Sequence, residues 1–324
     1  MRVLITGGAG FLGSLLARRI LADGTLAVAG AGPAPVDELV LLDLVEPPAD
    51  LTADARVRVR TGGLAQLMPA EPDVQVVFHL AGVVSGAAEA DFDAGMAGNV
   101  DGTRAVLERT PAQAVPPVLV FSSSLAVFGQ DPALPPLGEV EDDTFPHPQT
   151  SYGTQKLIGE LLVADCTRKG FVRGRSVRLM TVSVRPGRPN AAASGFLSGM
   201  VREPLAGVRA VCPVPPDTPV ALSSPRRTIE GILTAAAVSD EAWGSRAAVT
   251  LPALTTTPRR MAEALDRVAG AGTSDLIEWR VDPAVTAMVA SWPARFRTER
   301  AAALGLVPEE SFDDVIRSYL SDPH

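Results

Sequence analysis

Short apolar runs alternate with stretches of helical periodicity through the first half of the chain. The stretches include residues 14–21, residues 91–109, and a segment that runs from residue 151 to near Gly170. Apolar runs that alternate with helical patterns predict right-handed βαβ units and a parallel sheet. The runs predict six strands, at residues 2–6, 38–43, 57–60, 74–80, 118–121 and 176–185.

The pattern changes after residue 187. Helical stretches at residues 194–205, 224–238, 258–268 and 309–320 lie between proline-rich connectors, and the sequence contains no internal repeat. We therefore predict an α/β protein with a doubly wound parallel sheet over residues 1–187. Residues 188–324 are expected to form mainly a smaller cap, with some segments returning to the sheet.

A glycine-rich turn follows the first predicted strand. Residues 7–13 read Gly-Gly-Ala-Gly-Phe-Leu-Gly and lead into a helical stretch, which is the context of a dinucleotide-binding motif. Gly7 would permit the tight turn, Gly10 would let the backbone approach a pyrophosphate, and Gly13 would let the helix pack closely. The pyrophosphate is expected at the helix N-terminus. A glycine-rich turn without a ligand is the alternative.

The second predicted strand ends in Asp43, a carboxylate suited to the 2′-hydroxyl of a ribose. Asp43 lies unusually far from the glycines because residues 24–37 are rich in Gly, Ala and Pro and predict a longer loop. No arginine follows Asp43, so a 2′-phosphate would meet only negative charge, and NAD is favoured over NADP. A turn-capping role for Asp43 is the alternative.

Tyr152 and Lys156 are four residues apart in a chain that has only two tyrosines and two lysines. Residues four apart share one helix face, so both side chains are expected to point to the same place. An ammonium group near a phenol lowers the pKa of the phenol. Tyr152 would then serve as a general base or acid near neutral pH. A solvated pair on one helix face is the alternative.

Composition and charge limit the classes of partner. The net charge of −8 argues against nucleic acid or an anionic membrane as a partner. Two cysteines and three scattered histidines offer no disulfide framework and no metal-ligand spacing, so no metal is expected. The sequence shows no secretory signal and no apolar stretch of transmembrane length, so we expect a cytoplasmic protein.

Residues with special chemistry recur where the predicted strands end. They are the glycine turn, Asp43, Ala81-Gly82, Ser122 to Ser124, and Pro186-Gly187. Because the carboxyl ends of parallel strands meet at one edge of a sheet, these residues are expected to form one ligand-binding rim.

Several of these segments together resemble the extended short-chain dehydrogenase/reductase family, in its epimerase/dehydratase-like branch. The resemblance covers residues 1–190 continuously and implies a Rossmann-type sheet, NAD as cofactor, and often a homodimer that pairs the Tyr152 helix. Apolar Leu157 and Leu161 permit such pairing. The matching segments are residues 6–13, 79–82, 99–103, Ser122-Ser123-Ser124, and Tyr152 with Lys156.

Parts of the cap are similar to dehydrogenases of that family that oxidise the 2-hydroxyl of D-erythronate, a four-carbon sugar acid, with NAD. This resemblance implies a small anionic sugar acid as substrate and 2-oxo-D-erythronate as product. The segments that carry it are residues 185–196, 202–205, 212–216 and 224–227.

The family resemblance also implies roles for individual residues. Tyr152 would take the hydroxyl proton, Lys156 would bind the nicotinamide ribose, and Ser124, with Ser123 close behind, would hold the reacting oxygen. Asn99 would position a helix or a water, or else be a helix-surface residue. The expected cofactor contacts are Gly7, Gly10, Phe11, Leu12, Gly13, Asp43, Gly63, Leu64, Leu80, Ala81, Gly82, Asn99, Ser122, Tyr152, Lys156 and Pro186.

One position departs from the family pattern. Many relatives carry an acidic residue that touches the adenine, where this chain has Gly63. We expect modestly weaker cofactor binding, with Leu64 still packing on the ring.

An acid substrate requires a cationic group for its carboxylate, and arginine suits bidentate binding. The candidates are Arg185, Arg202 and Arg227, with Asn190 and Ser194 for hydroxyl groups, alongside Ser124 and Tyr152 at the reacting carbon. A surface or fold-supporting role is the alternative for each arginine.

Two other functions compete with sugar-acid oxidation. A nucleotide-sugar epimerase or dehydratase would use the same Tyr152 and Lys156, hold NAD tightly, and need a larger cap pocket. A non-catalytic NAD-sensing protein would keep the glycine turn but commonly lose the tyrosine or the lysine.

Overall fold

The structure is a computed structural model that describes residues 1–131, 133–187 and 193–321. Its strands are β1 (Arg2–Thr6), β2 (Thr25–Leu26), β3 (Ala34–Pro35), β4 (Glu38–Asp43), β5 (Val57–Thr61), β6 (Val76–His79), β7 (Val118–Ser124), β8 (Arg173–Leu179), β9 (Thr181–Val182), β10 (Ala210–Cys212), β11 (Val220–Ser223), β12 (Val249–Thr250), β13 (Leu254–Thr256) and β14 (Ile277–Trp279).

The α-helices are α1 (Phe11–Asp23), α2 (Ala49–Thr52), α3 (Leu64–Leu67), α4 (Ser85–Ala90), α5 (Phe92–Gly95), α6 (Gly102–Arg109), α7 (Ser151–Arg168), α8 (Gly195–Leu205), α9 (Pro225–Ala237), α10 (Asp240–Trp243), α11 (Pro258–Ala269), α12 (Pro283–Ala290), α13 (Glu299–Ala303) and α14 (Phe312–Ser321). Short 3-10 turns lie at Met68–Ala70, Thr110–Ala112, Leu125–Val127 and Thr273–Leu276. None of the helices in these ranges is long and apolar enough to cross a membrane.

Seven parallel strands form the central sheet, in the order β12-β8-β7-β6-β1-β4-β5. The predicted doubly wound α/β fold is confirmed. The direction of strand addition reverses between β1 and β6, where Thr6 at the end of β1 aligns with His79 at the end of β6. In such sheets the crevice beyond this reversal point is where a ligand binds.

Each central strand is buried on both faces because alternate apolar residues enter two different cores. One core contains Val3, Ile5, Leu39 and Leu41 with residues of α1 and α9. The other contains Leu4, Val40, Leu42, Val77 and Leu119 with residues of α6 and α7. Burial on both faces explains why these strands are continuous apolar runs in the sequence.

The second half of the chain contributes to two places. Helix α9 packs on the first core, and β12 pairs with β8 at the edge of the main sheet. A separate apolar core unites residues of α8, β10, β11, α11, α12 and α14.

Three predicted elements differ from the structure. The strand expected at residues 176–185 is split, because β9 leaves the main sheet and pairs with β11. The helix expected at residues 91–109 is interrupted by a π-helical turn at Met96–Asp101. The loop expected at residues 24–37 contains the antiparallel pair β2 and β3. In each case the change depends on pairing or burial that a local pattern does not encode.

Candidate active site

A cavity of about 810 Å³ opens at the carboxyl ends of the central strands. Cofactor and ligand sites typically enclose about 300–1,000 Å³. Most residues expected on the rim line this cavity: Gly7, Gly10, Phe11, Leu12, Gly13, Asp43, Gly63, Leu64, Leu80, Ala81, Gly82, Ser122, Ser123, Ser124, Tyr152, Lys156, Arg185 and Ser194.

The glycine turn between β1 and α1 requires glycine at two positions. Gly7 has a φ of +73°, in the left-handed region that favours glycine. A Cβ atom on Gly13 would lie 2.0 Å from the carbonyl oxygen of Gly7, so only glycine allows α1 to approach this closely. Gly10 precedes α1 and provides no side-chain cap, so the first N–H groups of the helix remain available for an anion.

Asp43 lies at the far end of the same cavity, at the end of β4. Its carboxylate accepts hydrogen bonds from the backbone N–H groups of Ala9 at 2.9 Å and Leu44 at 2.7 Å. These bonds link the carboxylate to the glycine turn and fix its orientation. The position suits a ribose diol and would repel a 2′-phosphate.

The wall near Gly63 leaves space for a larger side chain. Gly63 precedes α3 with ordinary extended backbone angles, φ −70° and ψ 143°, and a Cβ atom there would meet no described atom within 4 Å. Leu64 lines the cavity beside it.

Tyr152 and Lys156 project from the first turns of α7 into the cavity, where Lys156 Nζ lies 5.7 Å from the centre of the Tyr152 ring. Surrounding protein raises the pKa of the Tyr152 phenol, whereas the Ser124 hydroxyl and the Arg185 charge lower it. The sequence-based expectation of a lowered pKa is therefore wrong for the protein alone, because desolvation outweighs the favourable neighbours. Burial also lowers the pKa of Lys156 to about 8.

Three consecutive serines at the end of β7 have different partners. Ser122 Oγ donates to the carbonyl of His79 at 3.1 Å. Ser123 Oγ donates to the carboxylate of Glu160, which forms a buried pair with Arg178 at 2.8 Å. Ser124 Oγ accepts the N–H of Ala126 at 3.2 Å. Its hydroxyl also forms a hydrogen bond with the Tyr152 phenol, which lowers the pKa of the phenol. The hydroxyl of Ser123 is thus bound away from Tyr152, whereas that of Ser124 is beside it.

Asn99 lies behind the cavity wall rather than on the helix surface. It is 2% exposed and belongs to the π-helical turn, a feature often found near functional sites. Its amide bonds both the N–H and the C=O of Val83, at 2.9 Å and 3.1 Å, and donates to Gln155 Oε1 at 2.7 Å. Asn99 therefore connects the loop after β6 to α7.

Of the three candidate arginines, Arg185 alone is among the residues that line the described cavity. Its Nε donates to the carbonyl of Val182 at 3.1 Å, and burial lowers the pKa of its guanidinium. Arg202 is set back from the cavity, where it donates to the carbonyl of Arg185 at 2.9 Å and pairs with Glu203.

Two other predicted residues do not contribute to the described wall. Arg227 pairs with Glu230 on α9 at 2.8 Å, because both lie on one face of that helix. Pro186 is also outside the residues that line the cavity. Asn190 lies outside the described residues.

Sequence reasoning did not assign several residues that line the cavity, among them Val83, Ser85, Thr181 and Trp292. Val83 directly follows the His-Leu-Ala-Gly segment, so its position next to that motif was a usable signal. Trp292 comes from the segment after α12, and no spacing in the sequence connects it to the rim. The described residues contain no group of three or more side chains arranged to hold a metal.

Comparison with known families gives a match over residues 3–216 to the family described as NAD dependent epimerase/dehydratase. The chain belongs to this family. The glycine turn, the carboxylate at Asp43 and the buried lysine fit NAD, the cofactor of the family. The resemblance to the epimerase/dehydratase-like branch of the extended short-chain dehydrogenases is confirmed.

Three similar proteins cover nearly the whole chain. A D-erythronate dehydrogenase from Cupriavidus necator is 51% identical over 99% of this chain and 98% of its own length. One from Haemophilus influenzae is 39% identical over 99% of both chains. A solved nucleoside-diphosphate-sugar epimerase from Agrobacterium tumefaciens is 38% identical, with a TM-score of 0.89 over 99% of this chain and 94% of its own.

Proposed function

We propose that this protein is an NAD-dependent dehydrogenase that oxidises the 2-hydroxyl of D-erythronate to 2-oxo-D-erythronate. Two relatives of this name match the chain from end to end. The observation that carries the proposal is that Arg185 and Tyr152 face one cavity and interact electrostatically. A 2-hydroxy acid needs this combination, a cation for its carboxylate beside a base for the neighbouring hydroxyl.

Tyr152 is the proposed general base. Its phenolate would accept the proton of the C2 hydroxyl while that carbon is oxidised. Bound NAD⁺ supplies the two-electron acceptor for this oxidation. Because burial raises the pKa of Tyr152, the Arg185 charge and the hydrogen bond with Ser124 must favour the phenolate. We propose that the Lys156 ammonium, 5.7 Å from the ring centre, adds to this effect.

Ser124 is the proposed partner of the reacting oxygen, since its hydroxyl lies beside Tyr152. We assign Ser123 a supporting role, because its hydroxyl is bonded to the buried Glu160–Arg178 pair. Asn99, through Gln155, is proposed to position the helix that carries Tyr152 and Lys156.

Arg185 is the proposed carboxylate clamp, with Ser194 available to a substrate hydroxyl. Arg202 would act through Arg185, because it holds the carbonyl of that residue. Asn190 stays a candidate for a substrate hydroxyl, and Arg227 is assigned a structural role on α9.

We propose that the chain consists of two regions with different functions. Residues 1–187 would bind NAD and carry Tyr152 and Lys156, and residues 188–324 would mainly bind substrate. In support, α8 holds both backbone groups of Arg185, since Ser198 Oγ accepts its N–H at 3.0 Å and Arg202 donates to its carbonyl. Helix α9 and β12 are the segments that return to the first region.

A nucleotide-sugar epimerase is the second candidate, because the similar Agrobacterium protein is described as a nucleoside-diphosphate-sugar epimerase. Both activities would use Tyr152 and Lys156. The higher identity to the sugar-acid dehydrogenases favours oxidation. A non-catalytic NAD sensor is disfavoured because the tyrosine and lysine are both present and both line the cavity.

We also propose a cytoplasmic homodimer that pairs helices α5 and α7 with their copies. Phe92 on α5 and Leu161 on α7 are apolar side chains with 60% and 64% of their surface exposed. Covering them in a dimer would remove apolar surface from water.

The experiment that tests the proposed function is an assay of NADH formation with a panel of four- to six-carbon sugar acids, using NAD⁺ and NADP⁺ in parallel. Turnover of D-erythronate with NAD⁺ alone is the expected result. Absence of NADH with every acid, together with NAD retained through purification, would favour the epimerase instead.

A further inference from the structure

His79 is a buried residue at the end of β6, and it contacts two hydroxyl groups. Its Nδ1 lies 2.6 Å from Thr6 Oγ1, and its Nε2 lies 2.9 Å from Thr103 Oγ1. The side chain is 1% exposed and does not line the cavity. Its two partners come from the strand before the glycine turn and from α6.

The neighbouring bonds decide which nitrogen of His79 carries the proton. Thr103 Oγ1 is 2.6 Å from the carbonyl of Asn99, so its single proton is donated there and its oxygen must accept from His79 Nε2–H. Thr6 Oγ1 accepts the N–H of Ala81 at 3.2 Å, so its own proton is free to go to His79 Nδ1. The Nε2–H tautomer therefore satisfies every contact.

The other protonation states each lose a bond. An Nδ1–H imidazole would donate to Thr6 Oγ1 and leave the Thr6 hydroxyl proton without an acceptor. Its bare Nε2 would also need the Thr103 hydroxyl proton, which is already donated to the carbonyl of Asn99. An imidazolium would likewise leave Thr6 without an acceptor for its proton. A buried polar group without a partner costs more than a hydrogen bond contributes.

We infer that His79 is a positioning residue, held as the neutral Nε2–H tautomer, that fixes the cofactor-facing loop after β6 against both the glycine turn and the Asn99 turn. Thr6 directly precedes Gly7, and Ala81 lines the cavity. At the other end, Thr103 fixes the carbonyl of Asn99, whose side chain bonds Gln155 of α7. The chain of bonds thus connects the glycine turn to the helix that bears Lys156.

Neutrality of His79 also suits Lys156. The imidazole stacks on Phe121 with ring centres 5.6 Å apart, and Lys156 Nζ lies 5.1 Å from the centre of the same Phe121 ring. Burial and the Lys156 charge lower the pKa of His79 to about 3. A cation at position 79 would repel the ammonium group that the proposed function requires.

The tautomer is tested by nitrogen NMR on histidine-labelled, cofactor-free protein. We expect the Nε2–H pattern for His79, unchanged from about pH 6 to 9. An Nδ1–H pattern, or titration near the ordinary histidine pKa of about 6.5, would overturn the inference. This readout does not depend on any substrate.

The positioning role is tested with Thr103→Val, which removes the acceptor of His79 but keeps the shape of the side chain. Loss of one buried bond predicts an NAD Kd roughly tenfold higher, with a KM for D-erythronate within about threefold of wild type. Thr103→Ser should restore the Kd. Thr110→Val is the matched control, because Thr110 is equally buried and its hydroxyl also donates to a nearby backbone carbonyl, that of Leu107.

Equal NAD affinity in Thr103→Val and Thr110→Val would overturn the positioning role, even if both variants lost stability. A Thr103→Ser variant as weak as Thr103→Val would also overturn it. If Thr103→Val does not fold, Thr103→Ala is measured against Thr110→Ala with the same criteria. The expected KM for D-erythronate rests on the proposed function, whereas the expected NAD Kd does not. Wild-type protein that binds NAD but oxidises no sugar acid would contradict the proposed function and leave the positioning role of His79 to be judged by the Kd values.

Discussion

Arg185 and Tyr152 interact across the cavity: the guanidinium charge lowers the pKa of the phenol, and the phenolate raises the pKa of the guanidinium. Burial opposes both effects, because it raises the pKa of the phenol and lowers the pKa of the guanidinium. The two residues lie on different elements, since Tyr152 is in the first turn of α7 and Arg185 follows β9. A substrate that bridges them would present a carboxylate to one and a neighbouring hydroxyl to the other.

Replacing Arg185 with alanine is expected to weaken substrate binding. Charged hydrogen bonds contribute about 1.5–3 kcal/mol, so the KM for D-erythronate should rise roughly 10- to 100-fold. Loss of the positive charge should also raise the pKa of Tyr152 and shift the rise of kcat/KM to higher pH. Steady-state kinetics across pH measure both effects. Arg227→Ala is the control, and an equal rise in KM there would contradict the assignment.

Ser123 and Ser124 at the end of β7 should differ in effect, since Ser124 is expected to affect kcat and Ser123 to affect stability. Removing one hydrogen-bond donor to the reacting oxygen costs about 10²- to 10³-fold in kcat, which we expect for Ser124→Ala. Ser123→Ala should keep kcat within about threefold and lower stability by about 1 kcal/mol, because Glu160 retains its pair with Arg178. Steady-state kinetics and urea unfolding of both variants measure these effects. A larger loss of kcat in Ser123→Ala than in Ser124→Ala would contradict the assigned roles.

Gly63→Asp is expected to tighten NAD binding. The backbone there suits any residue, the space is open, and aspartate can cap the N-terminus of α3. A new hydrogen bond to the adenine should lower the NAD Kd by roughly 3- to 10-fold. Calorimetric titration measures this change. Gly63→Ala should leave the Kd unchanged, and equal tightening by alanine would show that the carboxylate is not responsible.

His79 should make the protein sensitive to acid. Its pKa is about 3 in the folded state and about 6.5 when unfolded, so the folded state binds fewer protons between these values. Stability is therefore complete above about pH 6.5 and falls as the pH drops towards 3, by about 2 kcal/mol at pH 5. His79→Gln lacks this titration, so its urea midpoint should fall less between pH 7 and 5. Parallel losses in both proteins would contradict a neutral buried imidazole.

The sequence was informative where a single local pattern determines the structure. Apolar runs predicted the central strands because each is buried on both faces. The glycine turn and Asp43 were expected at one rim because the ends of parallel strands meet at one edge, and Lys156 was found because it is four residues from Tyr152 on one helix face. These residues line the cavity in the structure.

The rest depends on packing between distant segments. Asn99 is buried by a π-helical turn, and Arg202 is turned toward the backbone of Arg185, neither of which a local pattern specifies. The direction of the Tyr152 pKa shift depends on how closely other elements surround the phenol. Trp292 reaches the wall from a late segment that has no motif.

Tyr152→Phe tests the central claim most directly, by comparing NADH formation from D-erythronate and NAD⁺ in wild type and variant. Loss of the general base predicts turnover at least about 10²-fold below wild type. The NAD Kd should stay within about threefold, because the ring of the side chain is kept. Turnover of D-erythronate by Tyr152→Phe at the wild-type rate would contradict the role of Tyr152 as the general base.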